Sequence, residues 1–112
     1  MARNMSFSLT TEQFKARTKT VTRRFGWWFL KSGDVVRGVE KTMGLKPGEK
    51  IKPLGLVRIL DTRPEPLDAI TQADVVKEGF PEWTPEQFVS MLVEHYGVSP
   101  SAKVNRIEFE YL

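Results

Sequence analysis

Residues 19–24 read Lys19-Thr20-Val21-Thr22-Arg23-Arg24, which places three cations and two hydroxyl side chains around one valine. β-Branched residues and hydroxyl side chains disfavour a helix, so the stretch predicts a short extended strand. Its polarity is hard to reconcile with a hydrophobic core. The strand is therefore either a basic strand on the surface or the floor of a polar pocket. The segment that follows this strand ends at a turn at Gly33-Asp34.

The side-chain alternation of this strand sets the geometry of any pocket. It places Thr20, Thr22 and Arg24 on one face, and Val21 and Arg23 on the other. Lys19 can reach Thr22 only from a bend, which we expect at the Thr18-Lys19 junction. A threonine hydroxyl needs a base to become a nucleophile, and a desolvated lysine with a lowered pKa can supply one. The spacing alone has little specificity, so a solvated basic strand stays an alternative.

The remaining chain alternates between strand and helix signals. Thr10 with Gln13 predicts a capping box for a short helix with Phe14 as its core contact, and Thr84-Pro85 with Gln87 predicts a second, longer helix. We expect strands at 5–9, 35–40, 54–60 and 103–112, a loop at 43–53, proline closure at 63–66, and helices at 10–17, 72–78 and 85–96. The order β-α-β-β-β-α-α-β predicts an α+β fold, a small and partly open barrel.

Charge is distributed unevenly along the chain. Residues 1–60 hold 13 Lys and Arg against 4 Asp and Glu (+9), and residues 61–112 hold 4 against 10 (−6), which sum to +3. The basic half favours an anionic partner, nucleic acid first, unless the two halves neutralise each other in the fold.

The composition also limits the chemistry and the setting. The absence of cysteine excludes disulfides and thiolate ligands, and the single histidine leaves no ordinary zinc site. No apolar run is long enough to span a bilayer, and no signal-peptide apolar region follows residues 1–4. We expect one domain over residues 1–112, cytoplasmic, monomeric, and free of metal and cofactor.

Five segments together resemble the ASCH domain family, and they cover nearly the whole chain in the family's order. They are Lys19–Arg24, Lys31-Ser32-Gly33-Asp34-Val35, Leu67-Asp68-Ala69-Ile70-Thr71, Glu78-Gly79 and Ile107-Glu108-Phe109. The resemblance implies a PUA-like fold, a small mixed β-barrel of about five to six strands with flanking helices. Such domains have a cleft that accepts RNA or a modified nucleobase.

Within that family the chain is similar to short bacterial members that hydrolyse N4-acetylcytidine to cytidine and acetate. Lys19, Thr22 and Glu78 match their working residues. The resemblance implies Thr22 as the nucleophile, Lys19 as the group that activates it, and Glu78 as the group that handles the proton of the leaving amine. Arg24 would hold substrate or stabilise the developing oxyanion.

The other expected contacts carry less specific signals. Thr20 shares the strand face of Thr22, and Trp27 could stack a base, although only one of Trp27 and Trp28 is expected to face a cleft. Arg23 and nearby cations are expected to form a solvated basic face, and His95 a half-buried helix position. The loop at 43–53 and the segment 80–83 depart from the family pattern. A non-catalytic RNA-binding module and a ribonuclease are therefore kept as alternatives.

Overall fold

A computed structural model describes residues 2–42 and 44–112 and confirms the predicted order of elements. Between Val39 and Pro53, residues 44–52 contain turns and no helix or strand, as predicted, while Met43 at the start of the predicted loop lies outside the described residues. The elements are β1 (Arg3–Ser6), α1 (Thr11–Lys15), β2 (Val21–Arg24), β3 (Val35–Val39), β4 (Pro53–Pro66), a 3-10 turn (Leu67–Ala69), α2 (Gln72–Lys77), α3 (Pro85–Tyr96) and β5 (Lys103–Tyr111).

The described strands form one five-stranded mixed sheet in the order β1-β3-β4-β5-β2. β1 pairs parallel with β3, and the other pairs are antiparallel. The register shifts between Gly38 and Val39 and again between Ile59 and Asp61, and such irregularities bend and twist a strand. The sheet accordingly curls into a half-barrel flanked by helices, which confirms the predicted small α+β PUA-like barrel.

Strand β4 is longer than predicted. The expected strand at 54–60 was to be closed by the prolines at 64 and 66, but β4 runs through both to Pro66. Pro64 pairs with Asn105 of β5, while the pairing of β4 with β3 ends at Arg58. Beyond that point the strands of residues 2–42 and 44–112 pair with β4 on one side only, so a proline there removes no ladder hydrogen bond from a central strand.

The helix caps divide into confirmed and wrong predictions. Thr84 and Gln87 form the predicted capping box at α3, and the Thr71 hydroxyl accepts a hydrogen bond from the Asp74 N–H at α2. The capping box predicted at Thr10 is absent. The φ of −135° and ψ of 32° at Thr10 lie outside the extended region in which a cap side chain reaches the first helical N–H groups. β1 is also displaced, since it ends at Ser6 rather than residue 9.

Two hydrophobic clusters cover the two faces of the sheet. One gathers around Phe7 and Phe14, with Ile107 and Phe109 from β5. The other lies under α2 and α3 and includes Val75, Phe88 and Val104. Along β5, Val104 and Ile107 belong to different clusters, since residues three positions apart on a strand point to opposite faces. Within the described part of the chain, no helix has the length and apolar character needed to cross a membrane.

Candidate active site

A small cavity opens between β2, the chain after β1, and α3. Its volume is about 100 Å³. Lys19, Thr22, Arg24 and Glu78, four of the six residues predicted from the sequence, line it. The other lining residues were not singled out as site residues with this role, and they are Ser6, Phe7, Ser8, Leu9, Thr10, Arg23, Phe88, Met91, Leu92 and Tyr96.

Lys19 and Glu78 form a buried ion pair at this cavity. Lys19 Nζ lies 2.5 Å from Glu78 Oε1 and also donates to the Glu78 main-chain oxygen at 3.1 Å. Lys19 lies between the turn at Ala16-Arg17 and Val21, a connection called here the bend before β2, and its main-chain oxygen accepts a hydrogen bond from the Tyr111 hydroxyl. Burial lowers the pKa of Lys19, and the charge and hydrogen bond of Glu78 oppose that shift.

Thr22 is buried and its hydroxyl is held by a neighbour on the same strand face. Arg24 Nε donates to Thr22 Oγ1 at 3.0 Å, as the predicted alternation of β2 allows. Among the hydrogen bonds of the described residues, none joins Lys19 Nζ to Thr22 Oγ1. Because Arg24 occupies a lone pair of Oγ1, the hydroxyl proton of Thr22 is left to point elsewhere.

The prediction that Arg23 belongs to a solvated basic face is wrong. Its side chain is 1% exposed, and its guanidinium binds the carboxylates of Glu65, Asp74 and Glu78. On this face of β2 the guanidinium meets carboxylates of β4, of α2 and of the residue after α2 rather than solvent. The sequence offered one unused signal, because Asp74 and Glu78 are four residues apart and so share one face of α2.

The two oppositely charged halves of the chain partly neutralise each other in this cluster. Arg23 and Lys19 from the basic half meet Glu65, Asp74 and Glu78 from the acidic half. Arg106 also binds Asp74, with Nε 2.7 Å from Oδ2, and these hydrogen bonds are the main reason that the pKa of Asp74 is lowered. The alternative that the two halves neutralise each other in the fold is therefore partly correct.

Two of the predicted substrate-binding residues, Thr20 and Trp27, do not line the cavity. The Thr20 N–H donates to the Lys77 oxygen at 2.7 Å, and its own oxygen accepts from Phe109 N–H at 3.0 Å. Trp27 packs against the cluster around Phe14, and its main-chain oxygen accepts a hydrogen bond from the Asn105 amide. Both residues therefore support the walls of the fold rather than the cavity surface.

The remaining residues singled out for comparison are two tryptophans and His95. Trp83 stacks on Phe80 at 4.5 Å between ring centroids and packs against the cluster under α2 and α3. Trp28 is half-exposed, and His95 is exposed on α3 rather than half-buried. Within residues 2–42 and 44–112, no three His, Cys, Asp or Glu side chains are grouped so that they could hold a metal ion.

Comparison with known proteins establishes the class of fold. No protein-family model matches the sequence, and no curated protein matches it either. Protein EF3133 from Enterococcus faecalis V583, a DUF984 protein, superposes with a TM-score of 0.67 at 15% identity, over 100% of this chain and 77% of its own. The hypothetical protein PH0355 superposes with a TM-score of 0.69 at 17% identity, over 100% of both chains.

A third structure gives the fold its name. The ASCH domain from Lactobacillus crispatus JV V101 superposes with a TM-score of 0.61 at 12% identity, over 97% of this chain and 78% of that domain. The chain therefore has the fold of an ASCH domain, which confirms at the level of the fold the resemblance predicted from the sequence.

Proposed function

We propose that this ASCH-fold protein acts on a modified nucleoside or RNA and hydrolyses the amide of N4-acetylcytidine or a related N4-acylated cytosine. The observation that carries the proposal is the convergence of Lys19, Thr22, Arg24 and Glu78 on one cavity. They come from the bend before β2, from β2 itself and from the end of α2. A threonine hydroxyl, a buried amine and a buried carboxylate at one cavity are the groups that acyl transfer requires.

The proposed reaction has two steps. Thr22 Oγ attacks the acetyl carbonyl and passes its proton to the Lys19 amine, the C–N bond breaks, and cytidine leaves with a proton delivered by Glu78. Water then hydrolyses the acetyl ester on Thr22 and releases acetate, so that amide and water give cytidine and acetate. Arg24 lies beside Oγ1 and would stabilise the negative charge that develops on the carbonyl oxygen.

The Lys19–Glu78 pair supports this division of roles. Burial favours the neutral form of the amine, and the carboxylate 2.5 Å away is the nearest acceptor for its proton. Transfer within the pair would leave an amine able to accept a proton from Thr22 and a carboxylic acid able to donate one. The same two side chains would thus supply both the base and the acid.

The size of the cavity limits what enters it. Its volume of about 100 Å³ is below the roughly 300–1,000 Å³ of common ligand pockets. The proposal therefore assigns the cavity to the acylated edge of the base, and it places the ribose outside, near the exposed rim at Leu9 and Tyr96. A cytoplasmic, monomeric protein fits this proposal.

The proposal is tested by incubating the purified protein with N4-acetylcytidine and measuring cytidine and acetate by chromatography. Thr22→Val keeps the shape of the side chain without its hydroxyl, and we expect it to lower kcat by roughly a thousandfold or more. Thr18→Val removes an exposed hydroxyl outside the cavity and should leave kcat unchanged. A folded wild-type protein that releases no cytidine from a panel of N4-acylcytidines would refute the reaction.

A non-catalytic RNA-binding module is the second candidate, and a different surface favours it. Trp28 and Phe29 are 50% and 52% exposed, and each has a cation over its ring: Lys103 at 5.3 Å and Arg3 at 4.6 Å. Exposed aromatic rings beside cations suit stacked bases and phosphates. Salt-sensitive binding of a single-stranded RNA that survives Thr22→Val, without turnover, would favour this candidate, whereas shortened RNA would indicate a ribonuclease.

A further inference from the structure

Arg23 lies at the centre of a buried charge cluster beside the cavity. It neighbours Thr22 on β2, and both ends of its guanidinium are occupied. Nη1 donates to Glu78 Oε2 at 3.1 Å, while Nη2 donates to Asp74 Oδ2 at 2.5 Å and to Glu65 Oε2 at 2.8 Å. One side chain therefore connects Glu78 to two carboxylates that do not line the cavity.

The spacing of the two carboxylates at α2 explains why a forked cation is needed. Asp74 and Glu78 are four residues apart, a spacing at which like charges repel each other on one helix face. The two terminal nitrogens of Arg23 bridge them. Arg106 of the neighbouring strand β5 holds both oxygens of Asp74. Its Nε donates to Oδ2 at 2.7 Å and its Nη2 donates to Oδ1 at 3.0 Å, so Asp74 is a fixed anchor for the bridge.

We propose that Arg23 is a positioning residue, which holds Oε2 of Glu78 so that only Oε1 meets Lys19. The inference rests on the proposed function, since it concerns how Lys19 becomes available to Thr22. Glu78 is bound on both oxygens, by Lys19 on one and by Arg23 on the other. A lysine at position 23 would keep the charge, but its single ammonium could not bridge Asp74 and Glu78 in the same way.

Loss of this bridge changes the environment of Lys19 in a defined direction. Glu78 could then turn both oxygens toward Lys19, which would hold its proton more strongly. In Arg23→Gln, Lys19 would also lose a like-charged neighbour, whereas Arg23→Lys keeps that charge. The pKa of Lys19 is lowered chiefly by burial and further by the charges of Arg24 and Arg23, and only Glu78 opposes. The groups that face Lys19 are Glu78 after α2, Arg23 and Arg24 on β2, Tyr96 across the cavity on α3, and the Tyr111 hydroxyl of β5 on its main-chain oxygen.

The first experiment measures the pH dependence of kcat for Arg23→Lys and Arg23→Gln with N4-acetylcytidine. We expect kcat at pH 7 to fall about tenfold or more, the rising limb of the profile to move about one pH unit upward, and KM to change less than about threefold. Arg58→Lys is the matched control, because the exposed ion pair of Arg58 with Glu110 has no part in the cluster that holds Glu78. It should leave the limb in place. A role in folding alone would lower the active fraction without moving the limb.

The second experiment does not depend on turnover. NMR of lysine-labelled protein follows the Lys19 side chain against pH, with its signals assigned by their loss in Lys19→Met. We expect the midpoint to be higher in Arg23→Lys than in the wild type or in Arg58→Lys. Equal midpoints in folded Arg23→Lys and wild-type protein would overturn the proposal, even if N4-acetylcytidine is hydrolysed. A shifted midpoint without turnover would support it while refuting the reaction.

Discussion

Lys19 and Glu78 are 59 positions apart in the sequence, and their charged groups are 2.5 Å apart in a site where both side chains are at most 3% exposed. Two further contacts strengthen the link, one to the Glu78 main-chain oxygen and one from Arg23. A buried charge that loses its partner destabilises a fold far more than the intact pair stabilises it. The bend before β2 is therefore joined to the end of α2 by a pair that is sensitive to the removal of either member.

Breaking the pair from the Lys19 side should be strongly destabilising. We expect Lys19→Met to lower the free energy of unfolding by about 3 kcal/mol, since Glu78 stays buried with less compensation. Adding Glu78→Leu should recover part of that loss. Urea unfolding of the two single variants and the double variant measures the coupling.

An exposed ion pair provides the control for this cycle. Arg58 and Glu110 are 3.0 Å apart, and each side chain is nearly half exposed. We expect Arg58→Met to change the free energy of unfolding by less than about 1 kcal/mol. If the effects of Lys19→Met and Glu78→Leu on the free energy of unfolding were additive, the coupling expected of a buried ion pair would be absent.

The contact between Arg24 and Thr22 predicts an effect on rate. We expect Arg24→Met to lower kcat for N4-acetylcytidine by roughly a hundredfold, because a donor beside the reacting oxygen is lost. Arg24→Met should lower the free energy of unfolding much less than Lys19→Met does. Steady-state kinetics checks the prediction, with Arg58→Met as an arginine variant remote from the cavity. A change in KM alone would show that Arg24 holds substrate and does not stabilise charge.

These contacts also show how far the sequence could be interpreted. The start and end of α2 and α3 follow from local signals, namely a threonine cap at one end and a glycine at the other, and both helices were predicted within a residue or two. The need for a turn ahead of Lys19 followed from the alternation of one strand, although the turn lies at Ala16-Arg17 and not at the expected Thr18-Lys19 junction. Such features depend on neighbours in the chain, so a single sequence carries them.

The error at Arg23 had a different origin. Its three carboxylate partners are 42, 51 and 55 positions away, and no local pattern distinguishes a solvated arginine from one that is buried against distant carboxylates. The same holds for β4, whose course through Pro64 depends on which side of the strand lacks a partner. Trp27 failed as a cavity residue because its loop turns it into the core.

Asp74 predicts how stability responds to acid. Hydrogen bonds from Arg106, and then from Arg23, lower the pKa of Asp74 from its ordinary value of 3.8. As the pH falls below about 3.8, the unfolded chain binds a proton that the folded protein does not, so this stabilisation is lost. We expect Asp74→Asn to be less stable at pH 7 and to lose less stability on acidification. Urea unfolding from pH 7 to pH 2 tests this, and Asp68→Asn, which alters an exposed aspartate, should follow the wild-type curve.

Gly79 follows Glu78 and should not tolerate a side chain. Its φ is 101°, and a Cβ there would lie 2.6 Å from Gln13 Cγ and 2.8 Å from Gln13 Cβ. Gly33 is the matched control: its φ is 95°, and apart from its chain neighbours no described residue has a heavy atom within 4 Å of the position that a Cβ would take. Backbone strain should lower the stability of Gly33→Ala by roughly 1–2 kcal/mol, and Gly79→Ala should lose about 1–3 kcal/mol more from overpacking. Thermal unfolding of the two variants gives the difference in stability. Equal losses would show that Gln13 of α1 moves aside without a measurable cost.

Tyr111 links the last strand to the bend that carries Lys19. Its hydroxyl donates to the Lys19 main-chain oxygen, and burial raises its pKa to about 12 from an ordinary value of 10.0. Above pH 10 the unfolded chain loses the phenol proton while the folded protein keeps it, so this contribution to stability is present below pH 10 and is lost as the pH rises toward 12. We expect Tyr111→Phe to lose about 1 kcal/mol at pH 7 with the hydrogen bond and to lose less further stability than the wild type between about pH 10 and pH 11.5. Urea unfolding at pH 7 and between about pH 10 and pH 11.5 measures these losses. Tyr96→Phe, which changes an exposed tyrosine, is the control. If Tyr111→Phe and the wild type lost stability in parallel above pH 10, the phenol would not be held neutral by burial.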